Sequence, residues 1–121
     1  MDKESPVEGK MAGLKEKLEK KVKEINEDRM RMEKVREWID GFFGKIICFK
    51  APGESYHIVF TKERVELREG EYPSCEVYYQ GDEEALKKVL DKELRASTGV
   101  KGGQLRIWGS LNEATRFEEI L

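Results

Sequence analysis

The chain has 121 residues, of which 38% are hydrophobic and 40% charged, with 23 basic against 25 acidic side chains and a net charge of −2. That length suits one domain burying about two-thirds of its unfolded surface; the balanced charge argues against a general nucleic-acid binder, which needs surplus cations to neutralise phosphates. Two cysteines, Cys48 and Cys75, lie far apart without C-x-x-C spacing, which argues against a secreted disulfide framework and for reduced, buried thiols.

The start Met1-Asp2-Lys3-Glu4 lacks the apolar core of a signal peptide. No run approaches the roughly 20 apolar residues of a membrane span, so the cytoplasm is the expected compartment. Lys and Glu dominate the charge, a thermophile-like composition.

Residues 1–9 hold Ser5, Pro6 and Gly9 with little apolar content and read as a flexible N-terminus, leaving 10–121 as one domain. From Lys10 onward Met11, Leu14, Leu18, Val22, Ile25, Met32, Val35, Ile39 and Phe42 recur at helical spacing. The stripe is thin before Arg29 and rich after it, so the expectation is a charged helical arm over 10–29 and a core-docked helix over 30–43. Asn26-Glu27-Asp28-Arg29 either caps that second helix or continues one long helix. The arm's narrow apolar stripe suits packing on its own domain, with a homodimer contact as the alternative. Lys21 and Asp28 interrupt a coiled-coil seam.

The period then becomes two. Residues 45–49 (KIICF), 56–60 (YHIVF) and 64–68 (RVELR) read as a three-strand meander, the first pair joined by the turn Ala51-Pro52-Gly53-Glu54. Residues 75–80 (CEVYYQ) form a fourth strand after a loop. Asp82 caps a helix over 83–92 that carries Ala85, Leu86, Val89 and Leu90 on one face. Residues 95–103 read as a Gly-rich loop with room for a helical turn, 105–108 as a fifth strand, and 111–121 as a closing amphipathic helix. The order predicts α+β: a five-stranded, mainly antiparallel sheet with helices on one face, preceded by a charged N-terminal helix.

A search for catalytic constellations is negative. His57 is the sole histidine and alternates onto the face opposite Tyr56, Ile58 and Phe60, as an ordinary sheet-surface side chain. A Cys48–His57 pair across neighbouring strands is conceivable, but Cys48 alternates with Ile46 and reads as packed rather than reactive. The carboxylates form no distinctive pair, Gly102-Gly103 belongs to no phosphate-binding motif, and no metal or other cofactor is expected. The chain is not expected to be an enzyme. The apolar set on the sheet and its covering helices is ample. It lines a cavity if the helices stand off the sheet and forms only core if they collapse onto it.

The second half carries a resemblance. The run CEVYYQGDEEALKKVLDKEL, a Gly-containing loop and then GGQLRIWGSLNEATRFEEIL resemble the sterol carrier protein type 2 family, with Gly103-Gln104-Leu105-Arg106-Ile107-Trp108-Gly109 as its glycine-flanked strand. With the upstream helix and meander, the likeness covers about residues 12–121. It implies a sheet with helices on one side enclosing a tunnel for fatty-acyl or sterol-like ligands, bound rather than transformed. Two departures stand out: the loop 95–102 (RASTGVKG) lacks the apolar segment common in the family, and the chain ends at Leu121 with a minimal lid. The expected lining is Phe60, Val77, Leu86, Val89, Leu90, Leu105, Phe117 and Ile120. The expected function is non-catalytic carriage of a fatty acid, acyl chain or sterol-like lipid, with transient membrane contact compatible and nucleic acid excluded. The alternative is an assembly module with a filled core.

Overall fold

Each change of hydrophobic period marks an element boundary in the computed structural model, which describes residues 13–41 and 43–121. Residues 1–9, Met11 and Phe42, all singled out above, lie outside the described residues. Helix α1 (Leu14–Glu27) buries Leu14, Leu18, Val22 and Ile25, its entire apolar stripe. The charged arm is therefore part of the core. Its thin stripe suffices because the ends are tied down: the Leu14 N–H donates to Glu83 Oε2 at 2.8 Å, and Asn26 exchanges two hydrogen bonds with the Val65 backbone at 2.8 and 2.9 Å. A carboxylate at a helix N-terminus also meets the positive end of its dipole.

Asp28 decides between one long helix and two. Its side chain accepts from the Met30 and Arg31 N–H groups at 3.0 and 3.2 Å, capping helix α2 (Arg29–Ile39). Strands β1 (Lys45–Ala51), β2 (Glu54–Phe60) and β3 (Val65–Glu69) then form the meander, followed by β4 (Val77–Gly81). Helix α3 (Glu83–Leu90) starts where Asp82 accepts from the Ala85 N–H at 2.8 Å. It ends two residues before the expected point, because Lys92 turns left-handed at φ 63°.

The segment 95–103, expected as a loop, holds helix α4 (Ala96–Lys101). Gly99 is there for packing: a Cβ on it would meet Leu105 Cδ1 at 2.5 Å. Strand β5 (Leu105–Gly109) and helix α5 (Leu111–Ile120), capped by Ser110, close the chain.

The strand order is β3-β2-β1-β4-β5. Only β1 and β4 run parallel, with Ile47 beside Val77 and Phe49 beside Tyr79; the other three pairings are antiparallel. Ile47, Phe49, Ile58, Phe60, Val77 and Tyr79 face the helices and are fully buried. Between the layers Phe49 stacks on Tyr79 at 5.2 Å, and Phe117 from α5 packs edge-on to Phe49 and Phe60, both at 5.8 Å. Trp38 meets Phe60 at 5.0 Å.

At one end of this layer Lys45, buried, is paired with Glu113 at 2.8 Å, and the Trp38 indole N–H donates to the same carboxylate at 2.5 Å. Burial works against the charged carboxylate, but the hydrogen bonds from Lys45 and Trp38 together outweigh it and hold Glu113 below its ordinary range. A depressed folded-state value means that this stabilisation is present above the unfolded value of about 4.3 and is lost as the pH falls through the folded one. Glu113→Gln is expected to cost about 1–3 kcal/mol at pH 7 and to weaken the acid-side loss of stability. Urea unfolding between neutral and acid pH would measure both, and equal losses at pH 7 and at strongly acid pH would refute the assignment.

Candidate functional site

The eight side chains expected to line a cavity are brought together. Phe60, Val77 and Leu105 come from the sheet, Leu86, Val89 and Leu90 from α3, and Phe117 and Ile120 from α5, and all are buried in one cluster. Within that cluster the Phe117 ring meets those of Phe49, Phe60 and Tyr79, and Phe49 stacks on Tyr79. A recess with one apolar wall borders this cluster.

That recess is a groove of about 310 Å³ where the C-terminus of α3, the segment leading to α4, and one face of α5 diverge. Val89, Leu94, Ala96 and Leu111 form its apolar walls, and Lys92, Arg95, Ser97, Thr115, Glu118 and Glu119 its polar margin. Of the eight expected residues only Val89 reaches it. Lys92 ends α3 in a left-handed turn, after which the Glu93 and Leu94 N–H groups fold back to the Lys88 carbonyl at 2.8 and 3.2 Å. Sequence reading missed the margin residues: Lys92, Arg95 and Ser97 sit in a segment with no periodicity of its own, and Thr115, Glu118 and Glu119 are polar side chains of the closing helix.

Glu118 joins the groove to the core. The Tyr79 hydroxyl donates to Glu118 Oε2 at 2.8 Å, and the Ala96 N–H at the start of α4 reaches Oε1 at 3.5 Å. Burial first, and then the neighbouring carboxylate, push the Tyr79 phenol far above its usual range, so it stays a protonated donor. The groove thus offers an apolar wall with a polar anchor, Glu118, on its margin, the general form of a small-molecule site. Two further clefts of about 320 and 540 Å³ border the β1–β2 turn and are lined largely by turn backbone and charged or polar side chains.

The opposite face of the sheet carries the remaining candidates. His57, expected at the sheet surface, is buried, because the segment after β3 folds over it. The Gly70 carbonyl lies 2.9 Å from His57 Nδ1, and Tyr72 packs against the ring at 5.4 Å. Cys48 lies directly across from His57 in the β1–β2 register, yet its thiol points to the Tyr72 carbonyl at 3.4 Å. Among the described residues no group of three or more His, Cys, Asp or Glu side chains could hold a metal ion, and no helix is long and apolar enough to cross a membrane.

With this geometry in place, residues 16–121 match the SCP-2 sterol transfer family. The chain belongs to that family. Solved structures share the fold of this SCP-2 chain at low identity. The UbiJ-SCP2 ubiquinone synthesis protein matches with a TM-score of 0.62 and 15% identity over 79% of this chain and 81% of its own. The apo sterol carrier protein 2 of Yarrowia lipolytica matches with a TM-score of 0.55 and 14% identity over 83% and 80%. The sec-alkylsulfatase Pisa1 from a Pseudomonas species also matches, with a TM-score of 0.63 and 14% identity over 74% of this chain. This SCP-2 chain spans only 14% of that sulfatase. No curated protein matches the sequence. The family match bears out the resemblance read from the glycine-flanked strand, and the mixed five-stranded sheet bears out the fold class.

Proposed function

We propose that this SCP-2 chain binds and carries an apolar ligand, a fatty acid, acyl chain or sterol-like lipid, without chemically changing it. Entry is through the groove between α3, α4 and α5. The observation that carries the reading is the family match over residues 16–121 coupled to an apolar groove that opens onto Val89 of the core. Binding energy comes from burial, at about 0.8 kcal/mol for each methylene removed from water. At about 310 Å³ the groove is at the small end for a ligand site. A long tail therefore goes deeper only as α5 moves outward, and Leu86, Leu90, Phe117 and Ile120 then become lining.

The test is uptake of a fluorescent fatty acid by the full chain, with native mass spectrometry after gentle purification. Saturable uptake by the wild type is expected. Val89→Trp, which fills the groove from its wall, should weaken it about tenfold or more, equivalent to about 1.4 kcal/mol. Absence of both co-purifying lipid and saturable uptake would overturn the reading. Unimpaired uptake by a folded Val89→Trp variant would move the entry elsewhere.

A further inference from the structure

A strand at the edge of a sheet presents unpaired backbone N–H and C=O groups, a template for one more strand. The two edges of this sheet are β3 and β5, and they are treated differently. The β3 edge is closed by α1. Asn26 takes up both the N–H and the C=O of Val65 at 2.8 and 2.9 Å, and Lys15 pairs with Glu69 at 2.7 Å. Among the described residues no hydrogen bond closes β5 in this way.

The register shows what β5 leaves open. The Ser110 N–H donates to the Glu76 carbonyl at 3.4 Å, which makes Trp108 and Arg106 the residues that bond to β4. The N–H and C=O groups of Leu105, Ile107 and Gly109 therefore point outward along the edge. Arg106, Trp108 and Gly109 are exposed and Ile107 is half-buried. The strand carries no proline and a single charge, so it lacks the usual defences of a free edge.

We infer that β5 pairs antiparallel with β5 of a second copy of this chain, about a two-fold axis at Ile107. What selects a second copy over any other strand is self-complementarity. With Ile107 facing its counterpart, Arg106 of each copy lies directly opposite Trp108 of the other, and Leu105 lies opposite Gly109, which has no side chain to oppose it. Arg106 and Trp108 share the outer face of the sheet, because alternation sets both opposite to Ile107. Arg106 has no ion-pair partner among the described residues. Trp108 is 51% exposed, and its ring is held edge-on by Tyr78 at 5.5 Å. Each guanidinium thus covers the free face of an indole, a cation–π contact made twice by the symmetry. The outward groups of Ile107 bond their counterparts in both directions. Strands of five residues bury little area, so the dimer is weak and reversible.

The test is sedimentation velocity of the full-length chain from micromolar to millimolar concentration, with backbone amide hydrogen exchange followed over the same range. A reversible monomer–dimer equilibrium is expected, with exchange at Leu105, Ile107 and Gly109 slowing as the dimer forms. Arg106→Glu removes both cations from the interface and should weaken dimerisation about tenfold. Trp108→Arg sets like charges opposite each other and should weaken it at least as much. Both positions are exposed, and thermal unfolding checks that each variant is folded.

An equimolar mixture of the two variants should dimerise again. In the mixed pair the carboxylate introduced at position 106 of one chain faces the guanidinium introduced at position 108 of the other, while the retained Arg106 and Trp108 still meet. A merely structural role for either residue gives no such recovery. Should a variant fail to fold, the wild-type exchange data decide alone. A chain that stays monomeric up to millimolar concentration would overturn the inference and leave the edge to a strand of another protein. So would a dimer in which the three amides exchange as fast as in the monomer, or folded variants that dimerise like the wild type.

Discussion

Phe117→Ala should cost about 3–5 kcal/mol of folding stability, a large part of the 5–15 kcal/mol that holds a typical domain together. Phe117 is fully buried, and its ring lies 5.8 Å from those of Phe49 and Phe60 and 5.9 Å from that of Tyr79. Truncation removes the transfer free energy of the ring and leaves a cavity that three other aromatics, anchored in the sheet, cannot collapse to fill. Urea unfolding measures the loss, with Phe117→Leu as the milder comparison. The result also bears on lipid carriage. In a filled centre the full cost appears and added fatty acid recovers part of it by occupying the void. A cost below about 1 kcal/mol would mean that α5 stands loosely on the sheet already.

Gly109→Ala should be nearly as damaging, at about 3 kcal/mol or more. Gly109 has φ +103°, a conformation that L side chains rarely adopt, and it pairs with Val77 in the β4–β5 ladder. A Cβ there would run into the Glu76 carbonyl oxygen, with Val77 Cα only 3.2 Å away. Those atoms are backbone, so β5 would have to leave its register to admit the methyl group. Gly103, at the other end of the same strand motif, is the internal comparison. It too is left-handed, at φ +76°, but a Cβ there meets nothing within 4 Å, so Gly103→Ala should cost only about 1 kcal/mol. Thermal unfolding of the two variants side by side checks the difference. Equal losses would mean that the close approach at Glu76 does not constrain the strand.

Much of the fold was legible because its signals are local. Asp82 announces α3 by its side chain, and the alternation in KIICF and YHIVF places Ile47, Phe49, Ile58 and Phe60 on one face without reference to any other part of the chain. The motif from Gly103 to Gly109 sufficed for the family resemblance. Misreadings fell where the deciding contact is distant. The extent of helix α4 was not legible, because its glycine suits a turn by composition, whereas Gly99 is dictated by Leu105 packed against it. His57 was placed at the surface because alternation shows which face a residue takes, but not that the Gly70–Cys75 segment returns to cover that face. The groove was invisible for a similar reason. Its lining joins residues of α3, the segment after it and α5, which only the packed structure brings together.

From sequence alone followed the order of the five strands, the inward-facing residues and the family, since all three depend on spacing along the chain. Only the tertiary structure decided that the N-terminal helix belongs to the core, that the segment after β3 covers His57, and that aromatic rings pack on one another in the apolar layer while the groove opens between α3 and α5. The physical reason is that periodicity specifies which side of an element avoids water, whereas the separation between layers is set by how particular side-chain volumes interdigitate.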